Sequence, residues 1–261
     1  MNLLDDVRYA GDCVAFARER LGFEPEPWQC QLMRSTSRMI ALACSRQSGK
    51  STSTAILALH SALYNKGDIV IASRSLRQAS LLFSKITGFL KLLEPVVELS
   101  EDNRLSCTLL NGNRILSLPG DAATVRGISN PQWTLLDEAA QIDDNFYAAV
   151  RPFLAHGGRI AVLSSPFGRR GFFFEIFQSG AERGWELIRV PATEVEHISR
   201  EFLENERRET SDWMFRQEYM CEFLETTSQV FGYDLVMNAF SDSVKPVFTK
   251  EEELLLFGSA A

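Results

Sequence analysis

The 261-residue chain is poor in several features that would place it at once. It has no apolar run long enough to cross a bilayer, and its first residues, MNLLDDVRYAGDC, lack the basic-then-apolar pattern of a signal peptide. A cytosolic location with no membrane partner is the default expectation. Only three histidines occur, His60, His156 and His197, with no HExxH or comparable ligand cluster. Each is expected to be a surface residue or a satisfied core residue. The five cysteines (Cys13, Cys30, Cys44, Cys107, Cys221) are odd in number and show no CxxC spacing. Buried thiols are therefore expected, rather than a zinc site or a disulfide framework. Basic charge is short as well, with 27 Lys and Arg against 34 Asp and Glu and a net charge of −7. That excludes a protein that coats nucleic acid by bulk electrostatics, but leaves room for one that meets it through a small local patch. No internal repeat or low-complexity tract is visible.

What is present fits one large α/β domain, or one domain with a small appendage. Leu4 to Leu21 reads as an amphipathic helix ended by Gly22 and the Pro25/Pro27 pair. RMIALAC (38–44) is the kind of short apolar run a buried parallel strand needs, and a helix is expected from Ser51 to Asn65. IVIAS (69–73) is a second buried strand, followed by a helix from Leu76 to Leu93. Leu105 to Leu118 is hairpin-like about Asn111-Gly112-Asn113. A glycine-punctuated loop, Pro119 to Pro131, leads into WTLLDEAA. A helix over Asn145 to Leu154, strand RIAVLSS (159–165), a Gly/Arg loop and a helix over Phe172 to Gln178 follow. Strand WELIRV (185–190) and helices over 199–209 and 211–220 complete the pattern. Strands alternating with helices predict a three-layer α/β fold with a mostly parallel sheet. The rhythm stops after Thr226.

Cys44-Ser45-Arg46-Gln47-Ser48-Gly49-Lys50-Ser51 differs from the GxxxxGK[ST] pattern only in having Cys44 for the first glycine. In such a loop small residues (Ser45, Ser48, Gly49), with Gln47 among them, let backbone N–H groups wrap phosphates, a lysine (Lys50) reaches the β- and γ-phosphates, and a hydroxyl (Ser51, with Thr52 beside it) serves Mg²⁺. A helix starting at Lys50 would point its positive dipole end at the nucleotide. Trp133-Thr134-Leu135-Leu136-Asp137-Glu138 is an apolar strand ending in two carboxylates. In a nucleotide hydrolase Asp137 would anchor the metal and Glu138 would polarise the attacking water. The plainer alternative is an exposed acidic pair feeding the next helix. Ser164-Ser165-Pro166 closes another buried strand. Its hydroxyls suit a sensor beside the γ-phosphate, the plainer alternative being an ordinary serine turn before a proline.

At these motifs the chain resembles terminase large subunits, the ATPases that drive viral genomes into procapsids. Further details carry the resemblance. Ser45 to Lys50 resembles the family's variant loop, which has an arginine and lacks the first glycine. Pro27-Trp28-Gln29 resembles its adenine-proximal motif, in which Gln29 would read the adenine edge. Thr124-Val125-Arg126-Gly127 resembles its Arg-Gly signature, and Phe215 to Phe223 resembles the segment that closes its ATPase region.

The resemblance, over about residues 20 to 235, implies a RecA-like P-loop core with an added strand and a small C-terminal subdomain. It implies ATP and Mg²⁺ as ligands, double-stranded DNA, portal and terminase small subunit as partners, and a homo-oligomeric ring. Arg46 and Arg126 are its candidates for stabilising the transferring γ-phosphoryl group. The expected division is 1–195 for the ATPase core, 196–230 for a helical subdomain and 231–261 for a tail where the family continues into a nuclease. Asp234 and Asp242 stand alone there, so no nuclease activity is expected. A helicase-like DNA-dependent ATPase, which shares the glutamine motif and the Asp-Glu pair, is one alternative. A remnant that binds nucleotide or partners without turnover is another.

Four arginines outside these motifs, Arg74, Arg77, Arg169 and Arg170, are either a contact surface for phosphates or a neighbouring subunit, or solvated loop charge. Phe172-Phe173-Phe174 is expected in the core.

Overall fold

Apolar runs with side chains alternating between two faces build the centre of the fold. A computed structural model describes residues 3–93, 97, 99–125, 127–128 and 131–225. All but Glu225 belong to one unit, Met1–Leu224, and the expected tail at 231–261 lies outside the described residues. The chain begins with α1 (Leu3–Gly11), α2 (Cys13–Leu21), α3 (Pro27–Arg34), β1 (Met39–Cys44), α4 (Lys50–Tyr64), β2 (Ile69–Ser73) and α5 (Leu76–Leu92). Next come β3 (Leu99–Asp102), β4 (Ser106–Leu109), β5 (Arg114–Pro119), β6 (Trp133–Asp137), α6 (Asp144–Val150) and β7 (Arg159–Ser164). α7 (Gly171–Ser179), β8 (Glu186–Val190), α8 (Arg200–Glu209) and α9 (Asp212–Glu218) follow. Among the described residues no helix is long and apolar enough to cross a membrane.

The eight strands form one sheet in the order β3-β4-β5-β2-β6-β7-β1-β8. β5, β2, β6, β7, β1 and β8 run parallel, and only β3 and β4 add antiparallel pairings. Ile40, Leu42 and Cys44 of β1 face one core, shared with α2, α3, α4 and α5. Ala41 and Ala43 face the other, where Phe146 of α6 and Phe172, Phe173 and Ile176 of α7 pack. β6 and β7 divide in the same way, so the sheet is covered on both sides, as a parallel sheet must be. The Phe172-Phe173-Phe174 run is core, as expected. The five cysteines are free thiols, all buried except the half-buried Cys30.

Two expected helices are broken. The helix read from Leu4 to Leu21 is two helices, because Asp12 leaves helical geometry (φ −141°) and caps α2, its carboxylate accepting from Val14 N at 2.9 Å. The helix read over Asn145 to Leu154 ends as α6 at Val150 and continues as a 3-10 turn, Arg151–His156. Pro152, which has no N–H and crowds the preceding turn, accounts for the change. β3, between the loop after α5 and the expected hairpin, has no counterpart in the sequence reading. It is a four-residue edge strand ending in Glu101 and Asp102, too short and too acidic for the pattern to show.

Topology places the site. β7 lies between β1 and β6, with Ala43 opposite Ser164 and Asp137 opposite Leu163. All three strands therefore end at one edge of the sheet, and the loop after β1 meets the residues after β6 and β7 there.

Candidate active site

The chain leaves β1 and turns into α4 through Ser45 to Gly49. Gly49 caps the helix in the left-handed region (φ 88°), and a Cβ there would meet Gln29 Nε2 at 2.9 Å. Only glycine suits both demands. Gln47 is also left-handed (φ 58°), an uncommon conformation for a residue with a side chain. The loop is tied to the end of β8 and to α9 at successive residues. Ser45 N donates to Val190 O at 3.0 Å and Arg46 N donates to Glu218 O at 3.0 Å. Arg46 Nε lies 3.1 Å from Glu218 Oε2, an ion pair too oblique to be a hydrogen bond, with the arginine side chain 68% exposed.

Lys50, the first residue of α4, reaches across to Glu138, with Nζ 2.8 Å from Oε1. Ser164, the last residue of β7, donates from Oγ to Glu138 Oε2 at 3.5 Å. One carboxylate thus sits between the loop lysine and the β7 hydroxyl. The motifs containing them are separate in sequence and meet only in the sheet. Glu138 is left-handed (φ 54°, ψ 43°), a cost on the order of 1 kcal/mol that the turn out of β6 imposes. Burial pulls the Lys50 ammonium down, but the carboxylates of Glu138 and Asp137 outweigh it, and its pKa is raised. Asp137 is buried, and its carboxylate accepts from Glu138 N at 3.1 Å. Burial pushes Asp137 up to about 6, with Lys50 opposing the rise and Glu138 adding to it.

Several observations fit a polyphosphate with a divalent cation. The loop opens a fifteen-residue helix whose first N–H groups face it. The hydroxyls of Ser45 and Ser48 are buried with no hydrogen-bond partner, apart from the weakly polar Cys44 thiol beside Ser48. Ser51 follows Lys50 and Asp137 precedes Glu138, so each expected metal-binding residue adjoins one end of the Lys50–Glu138 contact. Among the described residues no three His, Cys, Asp or Glu cluster as a protein-only metal site. A cation held by one carboxylate, one hydroxyl and the phosphates themselves is the usual manner of Mg²⁺.

Thr52 accepts from Lys85 Nζ at 3.1 Å, on the outer side of the loop. Gln29 is buried and its Oε1 accepts from Glu26 N at 2.8 Å, completing a capping box that starts α3. Its amide nitrogen faces Gly49, and with Phe23, Glu24, Glu26, Thr52 and His197 it lines a cleft of about 430 Å³ on the outer side of the loop. Ser165, half-buried, follows Ser164 before Pro166. Arg126 lies outside the described residues, as do Asp234 and Asp242 of the tail. Arg74 and Arg170 share a shallow cleft with Asp143 and Asp144, a lining of mixed sign. Arg74 donates to Gln141 Oε1 at 3.0 Å.

Glu26 and Glu218 lie outside the motifs, and His197, expected as an ordinary surface or core histidine, joins them at the loop. Nothing in their spacing marks them; they reach the loop through α3, α9 and the segment before α8. His60 matches expectation: it is buried, with Nε2 2.8 Å from Tyr9 O.

Known proteins match both the fold and this loop. The sequence profile described as "Terminase large subunit, T4likevirus-type, N-terminal" matches residues 42–236, well over half of the chain. The large terminase subunit of Thermus phage G20c is 26% identical over 257 residues, covering 84% of this chain and 53% of that protein. The chain thus spans about half the length of the curated relatives it matches. The large terminase ATPase domain of Thermus phage P74-26 superposes with a TM-score of 0.69 at 24% identity, covering 79% of this chain and 97% of that one. The large terminase of bacteriophage D6E in complex with ADP gives 0.64 at 14% identity, covering 77% and 54%. These likenesses bear out the expected RecA-like α/β fold with its mostly parallel sheet. With the profile spanning the loop, the acidic strand and the closing helices, the chain belongs to the terminase large subunit family, in its T4likevirus-type N-terminal region.

Proposed function

We propose that this chain hydrolyses ATP at the loop between β1 and α4, and that the hydrolysis drives double-stranded DNA into a viral procapsid. The carrying observation is the placement of Glu138 between Lys50 and Ser164 at the shared edge of β1, β7 and β6. The family match supports the same reading, as does the ADP-bound state of the D6E relative. It favours the packaging motor over a helicase-like enzyme.

In this reading the backbone of Ser45, Gln47, Ser48 and Gly49 wraps the phosphates, with Thr52 behind them on α4. Lys50 pairs with the terminal phosphates, and Gln29 meets the base. Arriving phosphate oxygens compete for the Lys50 ammonium and release Glu138, whose carboxylate then orients a water towards the γ-phosphorus. Asp137 and Ser51 would hold Mg²⁺, which would supply charge neutralisation for the phosphates. Ser164, with Ser165 following, senses the γ-phosphate through Glu138. Arg46 stabilises the transferring group from within the subunit, and Arg126 does so from a neighbour in a ring. Residues 1–195 form the motor core, 196–230 the helical subdomain and 231–261 the segment beyond it. Portal and terminase small subunit would be its partners.

Lys50→Ala tests the reading. Its ATP turnover should fall to background, with a far-ultraviolet circular dichroism spectrum like that of the parent. Turnover at the parent rate would remove the loop from the active site.

A further inference from the structure

His197 lies between a 3-10 turn, Ala192–Glu194, and α8, outside every motif the sequence shows, yet both its ring nitrogens are engaged. Nδ1 is 2.7 Å from Glu26 Oε1 and Nε2 is 2.8 Å from Gln47 O. Both partners accept and neither donates. A neutral imidazole has a single N–H, so satisfying the two together takes the imidazolium. Glu26 is itself pinned: Trp28 Nε1 donates to its Oε2 at 3.2 Å, and its own N–H donates to Gln29 at 2.8 Å. The bridge therefore joins the start of α3, which carries Gln29, to the phosphate loop.

The loop end of this bridge has a geometric consequence. A trans peptide points its N–H opposite to its carbonyl. Fixing the Gln47 carbonyl outward on His197 therefore fixes the Ser48 N–H on the other side of the same plane, as one of the loop's donors. Gln47 is the loop's non-glycine residue in the left-handed region, so its peptide is the one that most needs an external hold. The other charged groups facing this cleft are acidic, Glu24 and Glu196, with Lys85 reaching Thr52 at its rim. The hydrogen bond to Glu26, then that to Gln47, raises the His197 pKa above 6.5, with burial slightly opposing.

We propose that protonated His197 is a positioning residue of the nucleotide site, bridging Glu26 to the Gln47 carbonyl so that the chain binds ATP more tightly with this imidazole charged. This rests on the phosphate-loop reading above. The raised pKa sets the sign. The bridge is complete below the ordinary histidine value and is lost as pH rises through the higher value of the folded protein. By linkage, ATP in turn holds the proton on His197.

The test measures equilibrium binding of Mg²⁺-ATP to the full chain and its His197→Gln and His197→Arg variants, at pH 6 and pH 8.5. Titration of ATP's own phosphates is common to all three and cancels. The parent should lose about fivefold more affinity than His197→Gln across this range, an effect kept modest by the solvent exposure of the bridge. His197→Gln should be weak at both pH values. His197→Arg, charged throughout, should stay tight at both. In the parent alone, NMR titration of the His197 ring should show its midpoint moved upward by ATP. That measurement stands even if a variant does not fold. Coincident pH profiles for parent and His197→Gln, or a midpoint that ATP lowers or leaves in place, would overturn the role. Lys50→Ala separates the two readings. If it loses ATP binding while the His197 profiles coincide, only the histidine's role falls. If it binds ATP like the parent, the phosphate-loop reading falls as well.

Discussion

Glu138 is held by three constraints: a left-handed backbone, the Lys50 ammonium and the Ser164 hydroxyl. Glu138→Gln keeps the size and a hydrogen-bonding group but removes the base. It should lower turnover by a factor on the order of 10². ATP should bind no more weakly than to the parent, since Lys50 no longer has to leave a carboxylate. Turnover and nucleotide affinity measured on the same preparation check both halves. A pair of acids serving only the fold would leave turnover alone. Gly49 makes a second residue-scale case. Gly49→Ala places a side chain at φ 88° and its Cβ against Gln29 Nε2, which must move aside. A left-handed alanine costs about 1 kcal/mol, and the displaced glutamine disturbs the base side of the cleft. ATP affinity should fall about tenfold with a much smaller change in melting temperature. Binding isotherms and thermal melts of the two proteins separate these effects.

Among the elements, the break between α1 and α2 shows what a local cap does. Asp12 accepts from Val14 N and forms a two-point ion pair with Arg34 of α3, at 2.8 and 3.2 Å, so one side chain both starts α2 and fastens it to α3. Asp12→Ala should cost about 1 kcal/mol at pH 7 in urea unfolding. Asp12→Asn, which still caps, should cost about half of that. The hydrogen bond from Arg34, then that from Val14, lowers the Asp12 pKa against the opposing effect of burial. Because the folded value lies below 3.8, the contribution is complete above that pH and is lost as pH falls through the folded value. The gap between parent and Asp12→Ala should therefore narrow as pH falls below 3.8. A gap of constant size would show that the carboxylate's charge is immaterial. The sequence showed the apolar face running from Leu4 to Leu21 but not this break, because Gly11-Asp12 interrupts the backbone without interrupting the apolar spacing. It showed β1, β2, β6 and β7 to within a residue or so, because strands buried on both faces must be apolar throughout.

For the whole molecule, the loop between β1 and α4 is held by elements late in the chain. Glu218 holds Arg46, while its neighbour Gln217 accepts from Gly168 N at 3.3 Å, so α9 touches both the β1 loop and the loop after β7. In the proposed motor a γ-phosphate that altered either loop would work against α9, which would give the helices a route for feeling hydrolysis. If Arg126 serves a neighbour's site, Arg126→Ala and Lys50→Ala should each be inactive alone and regain turnover when mixed. Each mixed pair would then contain one intact Lys50 loop facing one intact Arg126. Titrating one variant into the other under DNA-stimulated conditions measures this, and mixtures as inactive as their parts would place Arg126 in its own subunit's site. The sequence by itself determined the strand-loop-helix around Lys50, the acidic end of β6, the hydroxyl end of β7 and the α/β class. Each is a local demand: small residues where backbone must wrap phosphate, apolar runs where strands are buried, glycine where φ is positive. Only the tertiary structure decided that β7 lies between β1 and β6, so that Ser164, Glu138 and Lys50 meet, and that Glu218 and His197 hold the loop. Strand order and contacts such as those of His197, 150 and 171 residues from its partners, depend on how elements pack, and that information is spread over the whole chain.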